Sequence, residues 1–163
     1  MCGYRRATTD SHHQYREALL ELTTDENIIS GNIDASIQTI SELTADVLNV
    51  SRVNIWLFNE NKTQLRCIDQ FDQRTKSHSN GQELSTSVGP AYINALQSSR
   101  IVDVTDVYSD SRTTQLSEQY FDSHNISALL DATIRSEGDV IGVICHEHIG
   151  GPRQWTDQEI LLR

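Results

Sequence analysis

Two long runs of the sequence, "SALLDATIR" (127–135) and "VIGVICHEH" (140–148), are separated only by "SEGD". Both are rich in apolar and β-branched residues, and Gly138 in the link supplies the positive φ that a tight reversal needs. The pair reads as an antiparallel hairpin. Each strand carries apolar residues on both of its faces, so the hairpin belongs inside a sheet covered on both sides. The second strand ends in "CHEH", a thiol, two imidazoles and a carboxylate in a row. Successive strand residues point to opposite faces. Cys145 and Glu147 therefore share one side and His146 and His148 the other, and the four do not converge on one ion. Zinc would need further ligands from elsewhere, and no spacing supplies them.

The rest of the chain supplies layers for such a sheet. Residues 1–12 are polar and aperiodic and read as a poorly ordered leader. A short amphipathic helix is expected from Tyr15, with Ala18, Leu19 and Leu22 on its stripe. "NIDASIQTISELTADVLNV" places Ile33, Ile37, Ile40, Thr44, Val47 and Leu48 at helical spacing. Period two follows in "SRVNIWLF", where Val53, Ile55 and Leu57 oppose Trp56 and Phe58. The polar turn "NENK" then leads to a second strand. Residues 73–83 read as loop, "STSVGPAYINALQSS" as a helix with Pro90 in its first turn, and "RIVDVTDV" as a strand. "SDSRTTQLSEQYFDSHN" gives a loop and a short helix carrying Leu116, Tyr120 and Phe121. Finally, Thr156 and Glu159 in "WTDQEILLR" form a capping box. Its apolar stripe, Ile160 to Leu162, is cut short, so the natural chain is expected to continue. The order predicts one α+β domain over 13–163, a central antiparallel sheet of five to six strands with helices on both faces.

Composition removes several functions. The formal net charge is -10, and the basic residues are scattered, which disfavours nucleic acid as a partner. No apolar run reaches the roughly 20 residues of a membrane-spanning helix, so a cytoplasmic protein is expected. Cys2, Cys67 and Cys145 form no CxxC pair and read as reduced thiols. No GxSxG elbow is present, and no catalytic or metal-ligating set is assigned.

The element order, together with "ISALLDATIRSEGDVIGVICHEHIGGPRQWTDQEILL" and "DVYSDSRTTQLSEQYF", resembles the GAF domain, a sensing module related in fold to PAS. The resemblance runs from about Asn32 to Arg163. It implies a regulatory input domain of a bacterial signalling protein, of the kind found upstream of histidine kinases or cyclic-dinucleotide enzymes, with no activity of its own. It names no ligand, and the cofactor is unknown. Bilin-binding members carry a cysteine before the last hairpin, where this chain has Ser123 and His124, so covalent bilin is disfavoured. Cyclic nucleotide is disfavoured too, because only a fragment of that signature occurs, in "NENK". In the region where the family builds its pocket lie Asp106, Asp110 and Arg112. The planar fork of Arg112 suits a carboxylate or phosphate, or a salt bridge to a neighbouring aspartate.

The candidate ligand-binding residues are Tyr92, Asp106, Arg112, Tyr120, His146 and His148. Helices at both ends with apolar stripes suggest a homodimer in which a change in the pocket repacks helices and reaches an effector. Two other readings stay open: a ligand-free dimerisation module, and a thiol redox enzyme of the free methionine sulfoxide reductase type using Cys67 and Cys145.

Overall fold

The computed structural model describes residues 31–161. The expected leader, the helix from Tyr15, Cys2 and Leu162 lie outside the described residues. Helix α1 (Ile33–Leu48) is followed by β1 (Arg52–Phe58), β2 (Gln64–Asp72), β3 (Ser77–Ser79) and β4 (Glu83–Ser85). Then come α2 (Pro90–Ser98), β5 (Ile101–Val104), α3 (Asp122–His124), β6 (Ile126–Ser136), β7 (Asp139–Ile149) and α4 (Asp157–Leu161). The seven strands form one sheet in the order β3-β2-β1-β7-β6-β5, with β4 also on β2. All pairings are antiparallel.

The central hairpin forms as its sequence requires. Glu137 and Gly138 take φ of 52° and 84°, the left-handed pair that a two-residue turn uses to match strand twist. The register slips twice, between Ile126 and Ala128 and between Ile134 and Arg135; the second slip leaves Ile141 as the extra residue on β7 and sets Asp131 opposite Cys145. Strand β1 pairs along the other edge of β7, with Arg52 opposite Glu147 and Asn54 opposite Cys145. Beside Trp56, Gly142 permits the closest approach of these two strands. A Cβ there would overlap the Trp56 carbonyl oxygen and lie 2.8 Å from Leu57 Cδ2.

The sheet holds two cores. On one face α1 packs over Val53, Phe71, Ala128 and Leu130. On the other, α2 and the helical segments at 114–124 cover Trp56, Leu65, Leu129 and Val143. Helix α1 is turned from the expected stripe: it buries Ser41, Ala45 and Leu48, and leaves Ile33 70% exposed. The small side chains of Ser41 and Ala45 let the helix lie close to the strands, so the larger isoleucines flank the contact. The stretch 73–83, expected to be loop, contributes β3 and the start of β4, which raises the strand count to seven. These short strands bury no alternating apolar face. They form because they satisfy the free backbone edge of β2.

One guanidinium joins α1 and α4, the first and last of the described helices. Arg153 donates to Leu48 O at 2.6 Å and Asn49 O at 3.0 Å, where α1 ends, and to Glu159 Oε1 at 2.6 Å in α4. It also stacks over Trp155, 4.3 Å from the ring centroid. The capping box forms as expected, with Thr156 N donating to Glu159 Oε2 and Glu159 N donating to Thr156 Oγ1. At the opposite edge His78 bridges Asp69 and Glu42, with both ring nitrogens 2.8 Å from a carboxylate oxygen. Burial alone would lower the His78 pKa, but the two carboxylates outweigh it and raise the pKa.

Two outcomes are expected. Gly142→Ala forces β1 and β7 apart and lowers folding stability by about 1–3 kcal/mol, read as a lower urea midpoint with an unchanged slope. The stability advantage of wild type over His78→Gln is full below the ordinary histidine value of 6.5. It declines as pH rises through the raised value, because the folded state gives up its extra proton there; urea titrations across pH 5–9 measure it.

Candidate functional site

Between the sheet and the α2 side lies a cavity of about 30 Å³, enough for a water molecule or two. Trp56, Tyr92, Tyr120 and Phe121 form much of its wall, and Asp131, Cys145 and Glu147 reach it from β6 and β7. The sheet brings these together by parity: Asp131 shares a face with Leu129, and Cys145 and Glu147 share one with Val143.

Asp131 and Glu147 are almost wholly buried, at 0% and 1% exposed. Tyr92 donates its hydroxyl hydrogen bond to Asp131 Oδ2. Tyr120 donates to Glu147 Oε1 at 2.9 Å and accepts from Asn54 Nδ2 at 3.1 Å. Arg52 stands 3.9 Å from Glu147 Oε2, too long for a hydrogen bond. The second oxygen of each carboxyl, Asp131 Oδ1 and Glu147 Oε2, accepts no hydrogen bond, and Arg52 is the charge beside Oε2. An unpaired buried polar atom costs about 1–3 kcal/mol, so two such carboxyls beside a cavity depart from a core built for packing alone.

Burial dominates the protonation of this site. It lifts Asp131 to about 8, against the opposing hydrogen bond from Tyr92. It lifts Glu147 to about 7, with Arg52 and Tyr120 pulling the other way. Tyr92 and Tyr120 are raised well above 10 by burial and then by the neighbouring carboxylates. The Cys145 thiol is likewise raised by burial, Asp131 and Glu147, and burial with Asp69 pushes Cys67 up to about 12. Both thiols are held protonated, the reverse of what a nucleophilic cysteine requires.

Of the six expected ligand-binding residues, Tyr92 and Tyr120 stand at the cavity. His146 and His148 do not. The parity that separates them from Cys145 and Glu147 turns them to the α1 face, where His146 Nδ1 meets Leu130 O at 2.8 Å. Burial lowers His146 to about 4, so it is neutral. Asp106 and Arg112 do not line the cavity either. Arg112 pairs with Asp110 through Nε at 3.0 Å and Nη2 at 2.7 Å and donates to Asp103 O at 2.7 Å. Asp106 Oδ1 accepts from Tyr108 N at 3.0 Å. Both hold the loop. Asp131, Glu147, Arg52 and Asn54 were not among the expected residues, although a lone aspartate inside "ALLDATI" and polar residues alternating up to Trp56 were available signals. Ahead of the last hairpin, Ser123 Oγ donates to Tyr120 O at 2.9 Å and contacts His124 Nδ1 at 2.7 Å. The His124 ring stacks on Tyr120, centroids 5.0 Å apart.

An antiparallel sheet with a small cavity under one helical layer and α1 with α4 on the other face defines the α+β class of this chain. The GAF domain family model matches residues 32–162, and the chain belongs to that family. Among solved structures, the blue-light absorbing form of the PixJ GAF domain from Thermosynechococcus elongatus superposes with a TM-score of 0.67 at 17% identity, covering 84% of this chain and 80% of that one. The GAF domain of an Acinetobacter phosphoenolpyruvate-protein phosphotransferase gives 0.60 at 14% identity, covering 91% and 82%. A domain described as part of a two-component sensor histidine kinase protein from Sinorhizobium meliloti gives 0.56 at 20%, covering 78% and 81%. No curated protein matches the sequence.

The raised Asp131 value has a sign that can be tested. The folded state keeps a proton that the unfolded chain releases above the ordinary 3.8, so stability falls as pH rises from there towards about 8. Asp131→Asn removes this penalty. Its urea-derived stability relative to wild type is expected to improve by a few kcal/mol, as an order of magnitude, between pH 5 and pH 9.

Proposed function

We propose that this chain is the regulatory input domain of a bacterial signalling protein, a cytoplasmic module that binds a small molecule without transforming it. One observation carries the reading: a small cavity whose lining includes two almost wholly buried carboxyls, Asp131 and Glu147. A neutral, hydrogen-bonded thiol and the lack of an activated nucleophile in the cavity wall speak for binding rather than chemistry. Output passes through the terminal helices. Strand β7 leaves the cavity at Glu147, and four residues past its end Arg153 holds α1 and α4 together. The half-buried isoleucines Ile37 and Ile40 and the exposed Ile33 offer α1 an apolar face for a second copy, so that a change at the cavity repacks a dimer and moves an attached effector.

The PixJ domain of similar fold, which absorbs blue light, bears on the choice of ligand. In this chain Cys67 and Cys145 are both buried and Ser123 stands before the last hairpin, so the ligand proposed is not a covalent bilin. The small cavity volume supports a second reading, a dimerisation module with no ligand.

Native mass spectrometry of the freshly purified protein separates the two. The expected spectrum shows a dimer carrying a small-molecule mass that acid releases and that Leu129→Trp, which fills the cavity, does not retain. A bare dimer would replace sensing with the ligand-free reading, and a bare monomer would remove both.

A further inference from the structure

We infer that His78 is an acid-closed latch: it fastens the first half of α1 to the β2–β3 edge and releases it as the medium turns alkaline. One imidazole spans three elements. From β3 it meets Asp69 on β2 through Nδ1 and Glu42 on α1 through Nε2, each at 2.8 Å. Phe71 lies directly across the strand pair, and its ring packs against the imidazole with centroids 4.8 Å apart. That contact limits how far the ring can turn away from either carboxylate. The latch sits on the α1 face, away from the cavity, and works whether or not a ligand is bound.

Hydrogen-bond arithmetic sets the switch. A carboxylate only accepts, so two of them need a donor on each ring nitrogen, which the imidazolium alone provides. After losing a proton the ring keeps one N–H and turns a lone pair towards the other carboxylate. The remaining N–H stays with Asp69, which is 3% exposed and whose Oδ2 accepts no hydrogen bond; water does not reach it to replace the histidine. The Glu42 side chain is 57% exposed and rehydrates freely. The bond that breaks is therefore the one to α1.

The helix is built to respond over one half. Its buried side chains, Ser41, Ala45 and Leu48, lie in the second half, and Ile33 through Ile40 include none. Glu42 stands at the boundary. Loss of its bond frees the half that carries Ile33 and Ile37, while the contact of Arg153 with Leu48 O keeps the far end in place. A cleft beside the latch, lined by Thr39, Glu42, Asp46, Phe71 and Lys76 among others, leaves room for the movement.

The sign follows from the partners. Besides Glu42 and Asp69, the charges along this edge are Asp46 on α1 and Lys76 in the turn before β3, which donates to Gln73 Oε1 at 2.8 Å. The two carboxylates outweigh burial and raise His78 above 6.5. The latch is closed below 6.5 and opens as pH rises through the raised value. His146 and His148, on the same face of the sheet, are both lowered, so neither titrates there.

The test follows the His78 ring by long-range ¹H–¹⁵N correlation from pH 5 to pH 9, together with amide hydrogen exchange along α1, corrected for the intrinsic effect of pH. His78 is expected to lose its proton with a midpoint above 6.5. With the same midpoint, protection at Ile37 to Ser41 falls about threefold to fivefold, the upper range for a partly exposed pair, while protection at Ala45 to Leu48 holds. In Glu42→Gln, a change on the surface that the fold tolerates, the carboxamide donates to the lone pair of the neutral ring, and protection stays level across the transition. A His78 midpoint at or below 6.5 overturns the inference, as does level protection in wild type. So does a loss spread evenly over α1, or one that persists in Glu42→Gln, since either assigns the change to other groups such as Asp131 and Glu147 on the opposite face.

Discussion

The pairing of β7 with a strand on each side fixes almost everything else in this molecule. Its residues alternate between two cores, so a single backbone register decides which side chains meet the cavity and which meet α1. The same register sets Asp131 beside Cys145 and Arg52 beside Glu147. Gly142 is the point where that register is most tightly held, because the Trp56 carbonyl occupies the space a side chain would need. Slip by one residue would exchange the contents of the two faces wholesale.

Carboxyls in such a position are costly to fold around. The structure manages that cost in stages, with a tyrosine hydroxyl on one oxygen of each, a guanidinium near one of them, and protonation where neither suffices. What remains is a pair of buried carboxyls beside an aromatic-lined cavity. A core optimised for packing alone would place leucine or valine at these positions, as it does at Leu129 and Val143 on the same face. The polar network is thus a specialisation laid on a scaffold whose stability comes from the two apolar clusters.

Much of the architecture was legible because local signals agreed with one another. Pro90 at a helix start, Thr156 with Glu159, Gly138 in a two-residue turn and the alternation through Trp56 each have a direct physical cause, and each formed. The split of "CHEH" between faces followed from strand geometry. Which face held the cavity did not, because that depends on the helices that settle there, and His146 and His148 lie on the α1 face for this reason. The pairing of Asp131 with Cys145 was hidden by the bulge at Ile141: counting from the turn without it sets Asp131 against Ile144. Strands β3 and β4 escaped notice because they form for the sake of a neighbour's backbone and bury no side-chain pattern. The rotation of α1 about its axis was missed because the helix docks through small residues, which a search for large apolar ones overlooks.

Alternation along β6 and β7 also separates two kinds of evolutionary freedom. Positions 129, 131, 145 and 147 face the enclosure, while 128, 130, 144 and 146 hold the scaffold layer beneath α1. Substitutions in the first set would alter the lining of the cavity and leave the packing of α1 and α4 intact. Descendants of such a chain could therefore change the chemistry of one core while keeping the packing of the other.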